Sequence, residues 1–303
     1  MDDLRTVFRG GTRAHELLGK YTSFRIGGPA ELYIEPVDKD DVVTATLFAG
    51  KNGIPLTVMG NGSNLLISDD GIPGIVMNLE SGLHGISAHN GVVNAESGIR
   101  IGKFVDFCIQ QGLAGVEMLA GIPGTIGGAV VMNAGAYGGE TSDHLIDVEV
   151  LRGETIVKVA KADCGFSYRR SGFQKDIVLS ARFALPAGSI AEMLKRRREL
   201  LLKRNESQPL NLPNSGSVFK NPAGKYAAQL VDQCGLKGTR IGNAQISEKH
   251  GNFIVNLGDA SANDVVGLIT LERARVKEQF GITLEAEVKL MGFPANIMET
   301  VYG

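Results

Sequence analysis

The chain has 303 residues, 43% of them apolar and 21% charged, with a formal net charge of −2. That length allows two or three structural units with sizeable cores, and the near-neutral balance argues against a nucleic-acid or anionic-membrane partner, either of which favours a basic protein. Glycine is the outlier at 40 residues, about twice ordinary usage, and it clusters inside apolar sequence, as tight loops do and disordered linkers do not.

The three cysteines, Cys108, Cys164 and Cys234, are odd in number and lack metal-ligand spacing, which fits a reduced, intracellular setting and no metal site. Met1-Asp2-Asp3-Leu4-Arg5 lacks the apolar segment of a signal peptide. No run of about 18 apolar residues occurs. A cytoplasmic protein without membrane attachment is expected, and a monomer.

In chain order, residues 30–36 alternate as a half-buried strand, with Leu32 and Ile34 against Glu31, Tyr33 and Glu35. Residues 39–52 carry Val42, Val43, Ala45 and Ala49 at helical spacing, end at Gly53 and lead into a short strand at 55–59. This is a β–α–β pattern, which implies a crossover over a sheet. Asn90-Gly91 predicts a hairpin between 86–88 and 92–94, and Arg152-Gly153 a second one between 148–150 and 156–157. Residues 177–184 alternate, with Ile177, Leu179, Ala181 and Phe183 on one face and Ser180 and Arg182 on the other. Ser189-x-x-Glu192 is a capping box opening a helix with six basic residues between Lys195 and Arg204. That run reads either as a solvated face or as a phosphate contact. Asn205 to Pro213 reads as a linker and a domain boundary. Beyond it a helix from Tyr226 to Cys234, a strand from Phe253 to Leu257, a helix from Ala262 to Phe280 and a last strand from Thr283 to Met291 are predicted. The class is α+β.

Two glycine-rich loops carry the functional signal. Gly60-Asn61-Gly62-Ser63-Asn64 follows a strand, and Gly121-Ile122-Pro123-Gly124-Thr125-Ile126-Gly127-Gly128 leads on to Asn133-Ala134-Gly135. Glycines let main-chain N–H groups approach a phosphate, so two such loops suit a dinucleotide cofactor. Ordinary turns are the competing reading. A Rossmann fingerprint is absent, because Gly60-x-Gly62 lacks the third glycine and Gly121-x-x-Gly124-x-x-Gly127 has the wrong spacing. There is no Walker lysine-Ser/Thr pair either.

With these loops, several further segments resemble the UDP-N-acetylenolpyruvoylglucosamine reductase (MurB) family when taken in order. They are Thr22-Ser23-Phe24-Arg25-Ile26-Gly27-Gly28-Pro29-Ala30, Phe166-Ser167-Tyr168-Arg169-Arg170-Ser171, Asn214-Ser215-Gly216-Ser217-Val218-Phe219-Lys220-Asn221-Pro222, Gly242 to His250, and Leu284-Glu285-Ala286-Glu287-Val288. The similarity spans about residues 20–292. It implies an FAD-binding module of two α+β subdomains of the vanillyl-alcohol-oxidase type (1–84 and 85–205) and a C-terminal α+β substrate-binding domain (206–303). FAD would be held by Gly60, Asn61, Gly62, Ser63, Asn64, Gly121, Ile122, Pro123, Gly124, Thr125, Gly127, Gly128, Asn133 and Gly135. Residues 57–71 contain no histidine, so the flavin is expected to be non-covalent.

The resemblance further implies a reaction in which NADPH reduces FAD and hydride passes to the enolpyruvyl group of UDP-N-acetylglucosamine enolpyruvate, giving UDP-N-acetylmuramate. It implies three catalytic residues. Arg169 would clamp the substrate carboxylate with its planar fork. Glu287, if held protonated, would polarise the same group. Ser217 would supply a proton. Tyr168, Lys220, Asn221 and Gln245 match substrate-binding positions, whereas His250 reads as structural.

One class of the family carries an insertion with a tyrosine that covers the substrate. Here Arg169 and Ser217 are only 48 residues apart, so the chain resembles the shorter class. Asn214-Ser215 also departs from the Ser-Ala expected before Gly216-Ser217. An oxidase of the same fold, or a catalytically silent nucleotide-binding protein, stays open at this level.

Overall fold

The computed structural model describes residues 4–303. Met1 to Asp3, on which the signal-peptide reading partly rests, lie outside the described residues. Among the described residues, no helix is long and apolar enough to cross a membrane. The chain forms two compact units. One comprises the residues up to Ala14 with Leu32–Asn61 and Gly74–Arg204, and the other His15–Glu31, Gly62–Pro73 and Asn205–Gly303.

A four-stranded sheet, most of whose residues belong to the first unit, runs in the order Gly11–Leu17, Pro29–Glu35, Ile72–Asn78, Leu56–Met59. The helix Lys39–Asn52 forms where the periodicity predicts it. Asp38 caps it by accepting from Asp41 N, Gly53 ends it in the left-handed region at φ 62°, and Val42, Ala45 and Ala49 are buried on one face. The crossover skips one position: Leu56–Met59 pairs in parallel with Ile72–Asn78, which lies between it and Pro29–Glu35.

A five-stranded antiparallel sheet follows, in the order Thr155–Ala160, Leu145–Arg152, Ile177–Ala184, Val92–Glu96, Ile86–His89. Asn90 and Gly91 form its first turn with φ 49° and 76°, the two positive angles a type I′ turn requires. The second hairpin turns one residue later than expected. Arg152 pairs with Thr155, so Gly153 and Glu154 are the turn, with Gly153 at φ 59°.

The strand Ile177–Ala184 buries both faces. Leu179 packs into the core cluster of the four-stranded sheet, while Val178, Ala181 and Phe183 pack with Phe104, Ile126 and Val130 of the flanking helices. A register shift against Leu145–Arg152 at Glu149/Val150 breaks strict alternation. Ser180, expected on the face opposite Leu179, is buried, and Arg182 pairs with Asp147 across the strands. The helix Ile190–Ser207 begins with the Ser189 hydroxyl accepting from Glu192 N and runs three residues into the expected linker.

The second unit packs Ala227–Gln233, Ala262–Phe280 and Ala295–Tyr302 with the strands Arg240–Ile241, Ala244–Ile246 and Ile254–Asn256. Ser261 and Asp264 form a reciprocal capping box at the start of the long helix, and Gly281 ends it at φ 67°. The strand expected over 283–291 shortens to Lys289–Met291, which pairs in parallel with Leu65–Ile67. Upstream of it only Ala286 bridges, to Phe219. The alternation is nonetheless real. Leu284, Ala286, Val288 and Leu290 are buried in the core of this unit, but only part of the stretch has a ladder partner.

Candidate active site

Three groups of residues carry the candidate chemistry. The first is the glycine loops. The division between units falls at Asn61/Gly62, inside the first loop. In the first unit Gly60 lies against Thr125, where a Cβ would come within 2.4 Å of the Thr125 hydroxyl oxygen. The two loops therefore meet at a point where only glycine fits. Asn61 donates to Glu80 at 3.2 Å, and Glu80 also pairs with Arg100. In the second loop Thr125 caps the short helix Ile126–Met132 through Gly128 N. Gly127 N donates to Ser97 O at 2.8 Å, and a Cβ on Gly127 would lie 2.8 Å from that of Ser97. The Ser97 hydroxyl is buried beside it without a hydrogen-bond partner among the described residues. Gly121, at φ 83°, packs against Leu201 and Arg204 of the long helix. Burial pushes the Arg204 guanidinium pKa down, partly opposed by Tyr137. Of the basic run, Arg197 pairs with Asp106 while Lys195, Arg196, Arg198 and Lys203 are exposed.

The second group is the tight turn Ser167–Arg170, closed by Ser167 N to Arg170 O at 3.0 Å and Arg170 N to Ser167 O at 3.1 Å. Tyr168 and Arg169 form its tip. Arg169 adopts φ 56°, a region sparsely used by residues other than glycine, asparagine and aspartate. Its guanidinium stands 4.9 Å from the Tyr168 ring centre and donates to Gly135 O at 2.8 Å. Asn133, expected at the cofactor, is 1% exposed and engaged inside the protein. It donates to Glu140 at 2.7 Å and to Ser167 O at 3.2 Å, and accepts from Ser142 N at 3.1 Å.

The third group lies in the second unit. Glu287 N donates to Val218 O at 2.8 Å and Lys220 N to Glu285 O at 2.9 Å. These bonds set residues 217–220 alongside 285–288 and bring Ser217 and Glu287 onto adjoining strips. The second half of the first glycine loop joins the same cluster. Asn64 donates to Glu287 O at 3.1 Å and accepts from Lys289 N at 2.9 Å. Ser23 donates through its hydroxyl to Asn214 O at 2.6 Å and through its N–H to Gly62 O at 3.3 Å. Gly62 itself, at φ 60°, has Tyr21 O where a Cβ would stand, 2.2 Å away. Lys220 pairs with Glu285. Asn221 accepts from Ala227 N at the start of a helix, and Gln245 is buried and donates to Gly238 O. His250 packs edge-on against Phe253 at 4.7 Å and accepts from Asn252 N, and burial lowers its pKa.

Two supporting residues escaped the sequence reading. Asn252 clamps Phe219 by accepting from its N–H and donating to its carbonyl, both at 2.8 Å. Glu140 holds Asn133. Neither lies in a pattern that periodicity or turn chemistry picks out. No insertion interrupts the chain between the Arg169 turn and Ser217, which are joined by the strand Ile177–Ala184 and the helix Ile190–Ser207.

Residues 30–160 match the model of an FAD binding domain, and residues 208–291 that of the UDP-N-acetylenolpyruvoylglucosamine reductase C-terminal domain. In fold alone, 60% of the chain matches 38% of a solvent-stable cholesterol oxidase at TM-score 0.50 and 16% identity. The architecture is an α+β FAD-binding fold with a further C-terminal region. A UDP-N-acetylenolpyruvoylglucosamine reductase of Chloroherpeton thalassium is 44% identical over 97% of this chain and 98% of its own length. One of Caldanaerobacter subterraneus subsp. tengcongensis is 40% identical over 96% and 98%. The crystal structure of the Thermus caldophilus enzyme superposes at TM-score 0.81 and 37% identity, covering 93% of this chain and 99% of that one. The chain belongs to the UDP-N-acetylenolpyruvoylglucosamine reductase family.

Proposed function

We propose that the protein catalyses the NADPH-dependent, FAD-mediated reduction of UDP-N-acetylglucosamine enolpyruvate to UDP-N-acetylmuramate in peptidoglycan precursor synthesis, with Arg169, Ser217 and Glu287 as its catalytic groups. The observation that carries the assignment of Ser217 and Glu287 is the pairing of 217–220 with 285–288. It puts a hydroxyl and a carboxylate on neighbouring strips, tied to the glycine loop through Asn64. On this reading the protein acts as a cytoplasmic monomer, with 1–84 and 85–205 as FAD-binding subdomains and 206–303 as the substrate domain.

The glycine loops fit FAD. Gly60 and Thr125 meet as two loops sharing one pyrophosphate must, and a buried hydroxyl with no partner among the described residues, that of Ser97, adjoins Gly127. Gly60 to Asn64, the Gly121–Gly128 loop and Gly135 are the cofactor contacts in this reading, with Asn133 shaping the loop that carries Gly135. FAD, bound without a covalent link, supplies the hydride that NADPH delivers. Arg169 clamps the substrate carboxylate and stabilises charge that grows beside it. Glu287 polarises the same group. Ser217 gives the proton that completes the new C–H bond. Tyr168 and Gln245 flank the nucleotide sugar, and Lys220 and Asn221 shape the strip that carries Ser217.

The deciding experiment is anaerobic NADPH oxidation by the flavin-loaded protein with and without the enolpyruvyl nucleotide. Stoichiometric oxidation only with substrate, with UDP-N-acetylmuramate formed, is expected. Bound flavin with no substrate-dependent oxidation would leave the fold standing and remove the reaction.

A further inference from the structure

Arg169 is held in an uncommon geometry. Its positive φ is costly for a residue with a side chain and persists only where the surroundings over-determine it. Two of the contacts that hold the turn come from the hairpin between Asn133 and Glu140. Gly135–Ala136 pairs with Gly139–Glu140 to form that hairpin. It grips the turn at two points: Gly135 O accepts the Arg169 guanidinium at 2.8 Å, and the Asn133 amide donates to Ser167 O at 3.2 Å.

The Asn133 amide can work in this way in one orientation only. Ser142 N donates to its Oδ1 at 3.1 Å, and Glu140 accepts from its Nδ2 at 2.7 Å. A main-chain N–H only donates, so Ser142 and Glu140 together select the orientation that presents the N–H₂ group to Ser167. The N–H of Glu140 is fixed by Asp143 at 2.9 Å. The grip of Asn133 thus passes through the Glu140 carboxylate, and that of Gly135 through the hairpin in which Gly135 pairs with Glu140. We infer that Glu140 is a positioning residue for Arg169, acting through Asn133 and Gly135. The inference rests on the proposed role of Arg169 at the substrate carboxylate.

The test separates the two half-reactions of the flavin-loaded enzyme under anaerobic conditions, with thermal unfolding and flavin content as controls. Glu140→Ala is expected to slow reoxidation of the reduced enzyme by the enolpyruvyl nucleotide by ~10- to 100-fold, the scale on which small misplacements act, while reduction by NADPH stays within about twofold. Glu140→Gln still offers an acceptor to Asn133 and should recover to within about threefold of wild type. Glu140→Asp keeps the charge but is one methylene too short, and should reproduce the defect, so it also serves if the alanine variant loses flavin. Wild-type reoxidation in Glu140→Ala or Glu140→Asp, or a Glu140→Gln as slow as alanine, overturns the inference provided Arg169→Ala is slow. If Arg169→Ala itself reoxidises at the wild-type rate, the reading of Arg169 falls first.

Discussion

Glu287 donates its main-chain N–H to the carbonyl of Val218 at 2.8 Å. This bond joins segments far apart in sequence and sets the register of Ser217 against Glu287. With the Asn64–Glu287 bond, it makes the second half of the first glycine loop and both strips one connected cluster.

Replacing Ser217 with alanine tests the proton donor. Reduction by NADPH should be unchanged, whereas reoxidation by the enolpyruvyl nucleotide should fall ~100-fold or more, the usual reach of a general acid. Stopped-flow absorbance of the flavin reads both steps. Equal reoxidation rates would remove the serine from the mechanism.

Gly60→Ala should weaken FAD binding, because the new methyl lands 2.4 Å from the Thr125 hydroxyl oxygen and overpacking of this kind costs about 1–3 kcal/mol. The double variant Gly60→Ala/Thr125→Ala should recover part of the loss if the contact is the cause. Fluorescence titration of the apoprotein with FAD measures both. A single variant with wild-type affinity would show that the loops need not meet there.

No histidine occurs in residues 57–71, so acid denaturation should release all the flavin into the supernatant. Flavin that stays with the pellet after gel electrophoresis would mean a covalent bond to some other residue.

Asn252→Ala removes both partners of the buried Phe219 main chain. A buried polar group left unpaired costs ~1–3 kcal/mol, so a loss of roughly 2–4 kcal/mol in denaturant unfolding is expected, with slower turnover because Phe219 lies two residues from Ser217. Unaltered stability would mean that water replaces the amide.

Glu272 is fully buried in the long helix of the second unit, with neither carboxylate oxygen partnered among the described residues, and burial raises its pKa well above 4.5. The folded state therefore binds this proton more tightly than the unfolded state does. Stability is greatest below the unfolded value and declines as pH rises toward the folded one. Glu272→Leu should flatten that decline and stabilise the protein by about 1–3 kcal/mol at pH 8. A leucine variant with the wild-type pH slope would exonerate this residue.

Much of the local structure was legible in the residues themselves. The helices Lys39–Asn52 and Ala262–Phe280 end where Gly53 and Gly281 supply left-handed caps, because capping and helical periodicity act within a few residues of chain. The Asn90-Gly91 hairpin is legible for the same reason. The strand over 283–291 was misjudged in extent: alternation reports which side chains are buried, not how much of the main chain joins a continuous ladder.

The family motifs singled out Arg169, Ser217 and Glu287, yet nothing in their own segments says what holds them. The grip of Asn133 on Ser167 spans 34 positions, and that of Asn64 on Glu287 spans 223. Sequence by itself determined the caps, turns, buried faces and glycine loops of this protein, since those follow from interactions between near neighbours in the chain. Only the tertiary structure decided that Gly60 meets Thr125, that Val218 pairs with Glu287 and that Glu140 orients Asn133. Each of those contacts depends on a register set by burying whole sheets and helices together, which no short stretch of sequence encodes.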